Sequence, residues 1–162
     1  MSGAGAPRSL AVDGRGLNVV IVASTWHDQV MNGLIAGARH ALDEYGASHR
    51  LVRAVGSFEL PLVAQAALRT GADAVVALGV VIRGGTPHFD YVCRAATDGL
   101  LRVGLDAGAP VGFGLLTCDD EEQALDRAGL PGSHEDKGYE AAQAAVSSIL
   151  TLRSLAGQVQ ER

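Results

Sequence analysis

The chain has 162 residues, 48% hydrophobic and 19% charged, with a formal net charge of −5. That length fits one domain with a substantial core, and the composition is that of a globular protein rather than a disordered or fibrous one. The acidic balance and the lack of any basic cluster argue against nucleic acid as a partner, and no apolar run approaches the ~20 residues that a membrane-spanning helix needs.

From the N-terminus, residues 1–16 are rich in Gly, Ala and Ser and are expected to form a loose arm. They lack the apolar stretch of a secretory signal. The two cysteines, Cys93 and Cys118, have no metal-ligand spacing, so a reducing cytoplasm is the expected compartment. The run NVVIVAS, Asn18 to Ser24, reads as a short apolar strand. Asp28 is placed to cap a helix whose apolar positions Val30, Met31, Leu34, Ile35, Ala38, Ala41, Leu42 and Tyr45 keep helical spacing up to Gly46. His49 to Val55 is a second strand. Ser57 is placed to cap a second helix to about Thr70, with Pro61 near its first turn and Gly71 after its end.

Ala74 to Ile82 is valine-rich and apolar without alternation, the pattern of a central strand buried on both faces. It stops at Arg83, followed by two glycines, a threonine, a proline and a histidine. Gly84 and Gly85 allow a tight backbone with exposed N–H groups, Thr86 is expected as a helix N-cap, and Pro87 as the first helical residue. Amides at a helix start attract anions, and His88 can take and give protons near neutrality. This pairing points to chemistry on a phosphorylated substrate. The helix from Pro87 to about Ala107 is followed by a fourth strand, Pro110 to Leu116. Asp119 with Glu122 reads as a capping box for a helix ending at Ala128 and Gly129, and a last helix covers about Lys137 to Leu155. A single domain over 17–156 follows, with 157–162 as a tail.

Strict alternation of strand and helix means right-handed crossovers and a parallel sheet covered on both faces. Ligands in such sheets bind beyond the carboxyl ends of the strands. The chemically interesting residues cluster there: Thr25, Trp26 and His27 after the first strand, Gly56 to Glu59 after the second, Arg83 to His88 after the third, and Thr117 and Asp119 after the fourth. His27 is expected to point away from a pocket occupied by Trp26. His40, His49 and His134 read as surface residues.

The strings STWH at 24–27, GSFELP at 56–61, GVVIRGGTPHFDYV at 79–92, FGLLT at 113–117, EEQALDRAG at 121–129 and DKG at 136–138 resemble the lumazine synthase family. The resemblance implies a three-layer α/β/α sandwich of flavodoxin-like type, with a four-stranded parallel sheet. It also implies assembly into homopentamers or multiples of them, with the active site between subunits. The implied reaction condenses 5-amino-6-(D-ribitylamino)uracil with 3,4-dihydroxy-2-butanone 4-phosphate to 6,7-dimethyl-8-ribityllumazine, phosphate and water, with no metal or organic cofactor.

On this resemblance Trp26 stacks on the pyrimidine, while Ser57, Phe58, Glu59, Val80, Val81, Ile82 and Lys137 contact the pyrimidine and ribityl groups. Phe113 supplies a wall from the neighbouring subunit. Gly84, Gly85 and Thr86 cradle the phosphate, Arg127 of the neighbour clamps it, and His88 transfers protons. The chain departs from the family at Gly85, where a polar side chain is common, and at Leu130, Pro131 and Gly132, where a further basic residue is common. Two alternatives share the fold: an archaeal-type riboflavin synthase relative, against which the phosphate residues weigh, and a non-catalytic flavin-binding or shell protein.

Overall fold

The computed structural model describes residues 12–160, with side chains to residue 157. The apolar run Ala74–Ile82 forms β3 over the range its pattern predicts, and its first seven residues are buried. Two parallel strands flank it. β1 (Asn18–Ser24) runs in register from Val19 opposite Ala74 to Ala23 opposite Leu78, and β4 (Val111–Cys118) from Val75 opposite Val111 to Ile82 opposite Cys118. β2 (Ser48–Ala54) pairs with the other edge of β1, giving the order β2-β1-β3-β4.

Because successive side chains of a strand point to opposite faces, the sheet carries two separate cores. Val19, Ile21 and Ala23 of β1, with Val76, Leu78 and Leu116, pack under α1 (Asp28–Glu44) and α5 (Lys137–Gln160). The short α4 (Glu121–Leu125) joins them through Ala124. On the other face Val20, Val22, Val75, Ala77 and Leu115 pack under α2 (Leu60–Arg69) and α3 (His88–Ala107). This is the three-layer α/β/α, flavodoxin-like sandwich. Among the described residues no helix is long and apolar enough to cross a membrane.

Strand positions follow the sequence reading closely, whereas the helix starts depart from it. α1 begins at Asp28, but its cap is His27 in a left-handed conformation (φ 58°), and no side chain caps it. Ser57 opens a 3₁₀ turn, Ser57–Glu59, and its buried hydroxyl donates to the Val80 carbonyl at 3.2 Å instead of capping α2. α3 starts at His88 with Pro87, not Thr86, at the cap: the Pro87 carbonyl accepts the Asp90 N–H at 3.0 Å, and no side chain caps the helix. The α4 box lies one residue later than Asp119 and Glu122. The Asp120 carboxylate accepts the Gln123 N–H at 2.8 Å, and the Gln123 side-chain oxygen accepts the Asp119 N–H at 3.0 Å. α4 ends at Leu125, short of Ala128, and α5 runs past Leu155 to Gln160.

Of the expected arm over 1–16, residues 1–11 lie outside the described residues, as do 161 and 162 of the expected tail. Val12 packs against the α1/α5 core, and the Gly14 N–H donates to the Tyr45 carbonyl at 2.8 Å.

The α1/α5 layer is tight because glycine lets backbones meet. A Cβ at Gly138 would fall far inside contact distance of the Leu34 carbonyl, and one at Gly37 would collide with the Asp136 carboxylate. Gly138→Ala therefore has to part α5 from α1. We expect a loss of about 1–3 kcal/mol, the usual cost of overpacking, seen as a lower Tm; an unchanged Tm would show that the helices separate freely.

Candidate active site

Three strand ends meet beside the α2/α3 layer. After β1 the chain turns sharply at Thr25, whose hydroxyl donates to the Val55 carbonyl at 2.7 Å and so ties the end of β1 to that of β2. The turn leaves Trp26 64% exposed, and beyond β2 the side chains of Val55 and Phe58 are exposed as well. Large apolar groups held in solvent at strand ends mark a recognition surface rather than a core.

These residues line a cleft of about 620 Å³. Trp26, His27, Val55 and Phe58 line it together with Val80, Val81 and Ile82 of β3 and Val92 of α3, and Gly56, Ser57, Glu59 and His88 supply its polar groups. Gly56 has a steric reason to be glycine: a Cβ there would lie 3.1 Å from a Glu59 carboxylate oxygen and 3.6 Å from the Trp26 indole nitrogen. The Ser57 bond to Val80 fixes the 57–59 turn against β3. The result is an apolar slot with a flat indole, a carboxylate and an imidazole on its walls. Such a slot can hold a planar heterocycle with a hydroxylated chain and offers a proton carrier beside it.

Trp26, Ser57, Phe58, Glu59, Val80, Val81, Ile82 and His88 thus share one cleft. His27 lines it too. Its backbone is left-handed at the strand-to-helix corner, a conformation uncommon outside glycine that histidine adopts more readily than most residues. Val55 and Val92 were missed as lining residues; being strand-end or first-turn positions beside the motif residues was their only signal.

Four other expected groups lie elsewhere in the subunit. Gly84, Gly85 and Thr86 form the exposed loop between Ile82 and His88, so they adjoin the cleft without lining it. Phe113 is 48% exposed on the edge strand β4. Arg127 donates to the Gln123 carbonyl at 2.8 Å. The Lys137 ammonium is held by Glu135 and by Glu140, the latter at 2.8 Å. Partial burial opposes its charge, but hydrogen bonds to those two carboxylates prevail and raise its pKa. Phe113, Arg127 and Lys137 do not reach the cleft of their own subunit.

A flavodoxin-like sandwich whose cleft sits at the carboxyl ends of its strands defines a ligand-binding α/β protein of the doubly wound class. Comparison with known proteins gives the family. Residues 16–153 match the family model of 6,7-dimethyl-8-ribityllumazine synthase, and the chain belongs to that family. Relatives bearing that name include one from Leifsonia xyli subsp. xyli, 65% identical over 97% of this chain and 100% of its own length. Others are from Nocardioides sp., 64% identical over 96% and 97%, and Streptomyces coelicolor, 59% identical over 96% and 97%.

The turn that carries Arg127 is tied down at several points. Ser133 donates its hydroxyl to the Leu125 carbonyl at 2.5 Å and accepts the Leu130 N–H at 3.0 Å. The Lys137 N–H reaches the Arg127 carbonyl at 3.0 Å. Asp126 accepts the His134 backbone N–H at 3.2 Å and pairs with the His134 ring. The hydrogen bond to Asp126 raises the His134 pKa, and the same bond lowers that of Asp126.

A raised imidazole pKa stabilises the fold below the unfolded value and loses that effect as pH rises through the folded one. A lowered carboxylate pKa stabilises above the unfolded value and loses its effect as pH falls through the folded one. Both contributions coexist between about pH 4 and 6.5. Both groups are solvent-screened, so the effect is small. We expect His134→Ala to lower Tm slightly near pH ~5–6 and negligibly above pH ~8; Tm profiles with a pH-independent difference would remove the ion pair from this role.

Proposed function

We propose that this chain condenses 5-amino-6-(D-ribitylamino)uracil with 3,4-dihydroxy-2-butanone 4-phosphate, giving 6,7-dimethyl-8-ribityllumazine, phosphate and water. It acts as a transferase of riboflavin biosynthesis. The observation that carries this reading is the convergence of Trp26, Glu59 and His88 on one apolar cleft next to the Gly84–Thr86 loop. The pyrimidine stacks on Trp26, with Val80, Val81, Ile82, Ser57 and Phe58 framing it. Glu59 accepts hydrogen bonds from ribityl hydroxyls, and charge strengthens them. The ketone phosphate lies toward the loop, where backbone N–H groups of Gly84, Gly85 and Thr86 receive its phosphate.

In this arrangement the uracil amine attacks the ketone carbonyl, and the carbinolamine loses water to an imine. Phosphate is then eliminated with proton transfer through His88, the second nitrogen closes the ring, and water leaves. The enzyme's main contribution is orientation, for which well-placed reactants gain up to ~7–11 kcal/mol. No metal or organic cofactor enters these steps.

A homo-oligomer, pentameric or built of pentamers, completes the site. Support comes from large apolar side chains that a lone subunit leaves exposed: Leu62 of α2, Tyr91, Leu101 and Leu105 of α3, and Phe113 of β4. Between 48% and 74% of each is accessible, apolar surface that packing against a neighbouring subunit would cover. In the assembly Phe113, Lys137 and Arg127 of one subunit face the cleft of the next, and the Arg127 fork clamps the phosphate. The reducing cytoplasm is the compartment we assign, in keeping with free Cys93 and Cys118.

The decisive experiment is a turnover assay with both substrates, followed by lumazine absorbance. No product would end this reading, and riboflavin formed from lumazine alone would replace it with the riboflavin synthase one. His88→Ala is expected to lower kcat by at most ~10²–10⁴-fold and to leave measurable turnover; complete loss with the assembly intact would mean that orientation is not the main contribution. Arg127→Ala is expected to raise the KM for the phosphorylated ketone about ten- to hundredfold, the worth of a charge-assisted hydrogen bond, with the KM for the uracil unchanged. An unaltered ketone KM would take Arg127 out of the phosphate site. Light scattering fixes the assembly, and a monomer of full activity would sink the shared site.

A further inference from the structure

The loop between Ile82 and His88 has little to hold it along its length. Side chains grafted onto Gly84 or Gly85 would find open space, and Thr86 and Pro87 are exposed. Its ends are another matter. The Arg83 N–H donates to the Cys118 carbonyl at 2.9 Å, which makes Arg83 the last residue held to β4. Its side chain then reaches across the loop's far end. Nε donates to Asp119 Oδ1 at 2.8 Å, Nη1 to Asp90 Oδ1 at 3.4 Å, and the guanidinium carbon lies 4.1 Å from the centroid of the Phe89 ring. Phe89 and Asp90 are the two residues after His88, in the first turn of α3, and Phe89 is buried.

We infer that Arg83 is a positioning residue: its guanidinium closes the 84–88 loop on itself, between the end of β4 and the first turn of α3. In doing so it sets the backbone donors of Gly84 to Thr86 and the His88 imidazole relative to one another. The inference rests on the reading of that loop as the phosphate cradle. Each contact alone is weak, since exposed ion pairs contribute little to stability. Their value is geometric: a planar fork that stacks and donates in two directions restrains position and rotation together. Arg83 is also poorly suited to bind phosphate directly, because its Nε and one Nη are engaged by Asp119 and Asp90, whose two negative charges more than offset its own.

Direct phosphate binding and positioning predict opposite results for Asp119→Asn. If Arg83 positions the loop, losing its strongest partner loosens the cradle, and the KM for the phosphorylated ketone rises. If Arg83 binds phosphate, the same change frees it, and that KM falls. The test compares Arg83→Met, Arg83→Lys and Asp119→Asn in the assembled enzyme. The readouts are KM for each substrate, kcat, Tm, and the competitive inhibition constant of inorganic phosphate against the ketone.

Arg83→Met is expected to raise the ketone KM and the phosphate inhibition constant about ten- to hundredfold, the range that small misplacements produce. The uracil KM and Tm should stay close to wild type. Arg83→Lys keeps the charge without the fork and should recover little. Asp119→Asn, the milder change if Arg83→Met fails to assemble, should shift the ketone KM upward by a smaller factor. Tighter phosphate binding in Asp119→Asn, full recovery in Arg83→Lys, or an unmoved phosphate constant in Arg83→Met would each overturn the inference. If wild-type enzyme shows no competition by inorganic phosphate, the cradle reading itself fails; normal competition in wild type with no change in the variants overturns the role of Arg83 alone.

Discussion

The structure depends on β3 being buried on both faces between two parallel neighbours. A strand with helices above and below must carry no polar side chain on either face, and Ala74 to Val80 run without a polar interruption, with Gly79 giving way to Leu60 and Leu115. With β3 fixed, β1 and β4 are drawn in by ladder hydrogen bonds, and the crossover rule leaves one hand for the helices between them. The carboxyl ends of β1, β2 and β3 then lie at one edge of the molecule. The cleft is a consequence of that geometry: it opens where the strands stop and the helices have not yet begun.

The fold was legible in the sequence because its strongest signals are cooperative. The run at 74–82, the period of α1 and the glycines at 46, 71 and 129 agree with one another, so small local errors do not change the layer order. Helix starts were less legible because each turns on a single hydrogen bond for which several residues compete. Ser57 has the right chemistry for a cap but finds the Val80 carbonyl first. Thr86 is displaced by the conformation that Pro87 already favours. Asp119 and Asp120 are adjacent carboxylates, and only geometry decides between them.

The cleft was legible to the same degree as the fold. Trp26, Ser57, Glu59, Val80 and His88 sit at strand ends or first turns, where the class of fold brings ligands. The resemblance to a family supplied their chemical meaning; spacing alone would have left a pocket without a substrate. The network of Arg83 escaped because it links residues 7 and 36 positions apart through a side chain whose direction no local pattern encodes.

Among the described residues, His27 is the one non-glycine with a positive φ, and it stands at the rim of the cleft. A left-handed backbone costs an L-residue with a side chain about 1–2 kcal/mol, and the same corner presents Trp26 to solvent. Glycine or asparagine would relieve that strain, so this corner offers a route to a more robust variant. That improvement carries a trade-off, because relaxing the bend also frees the indole that the bend holds in place, and thermal tolerance and recognition would move in opposite directions.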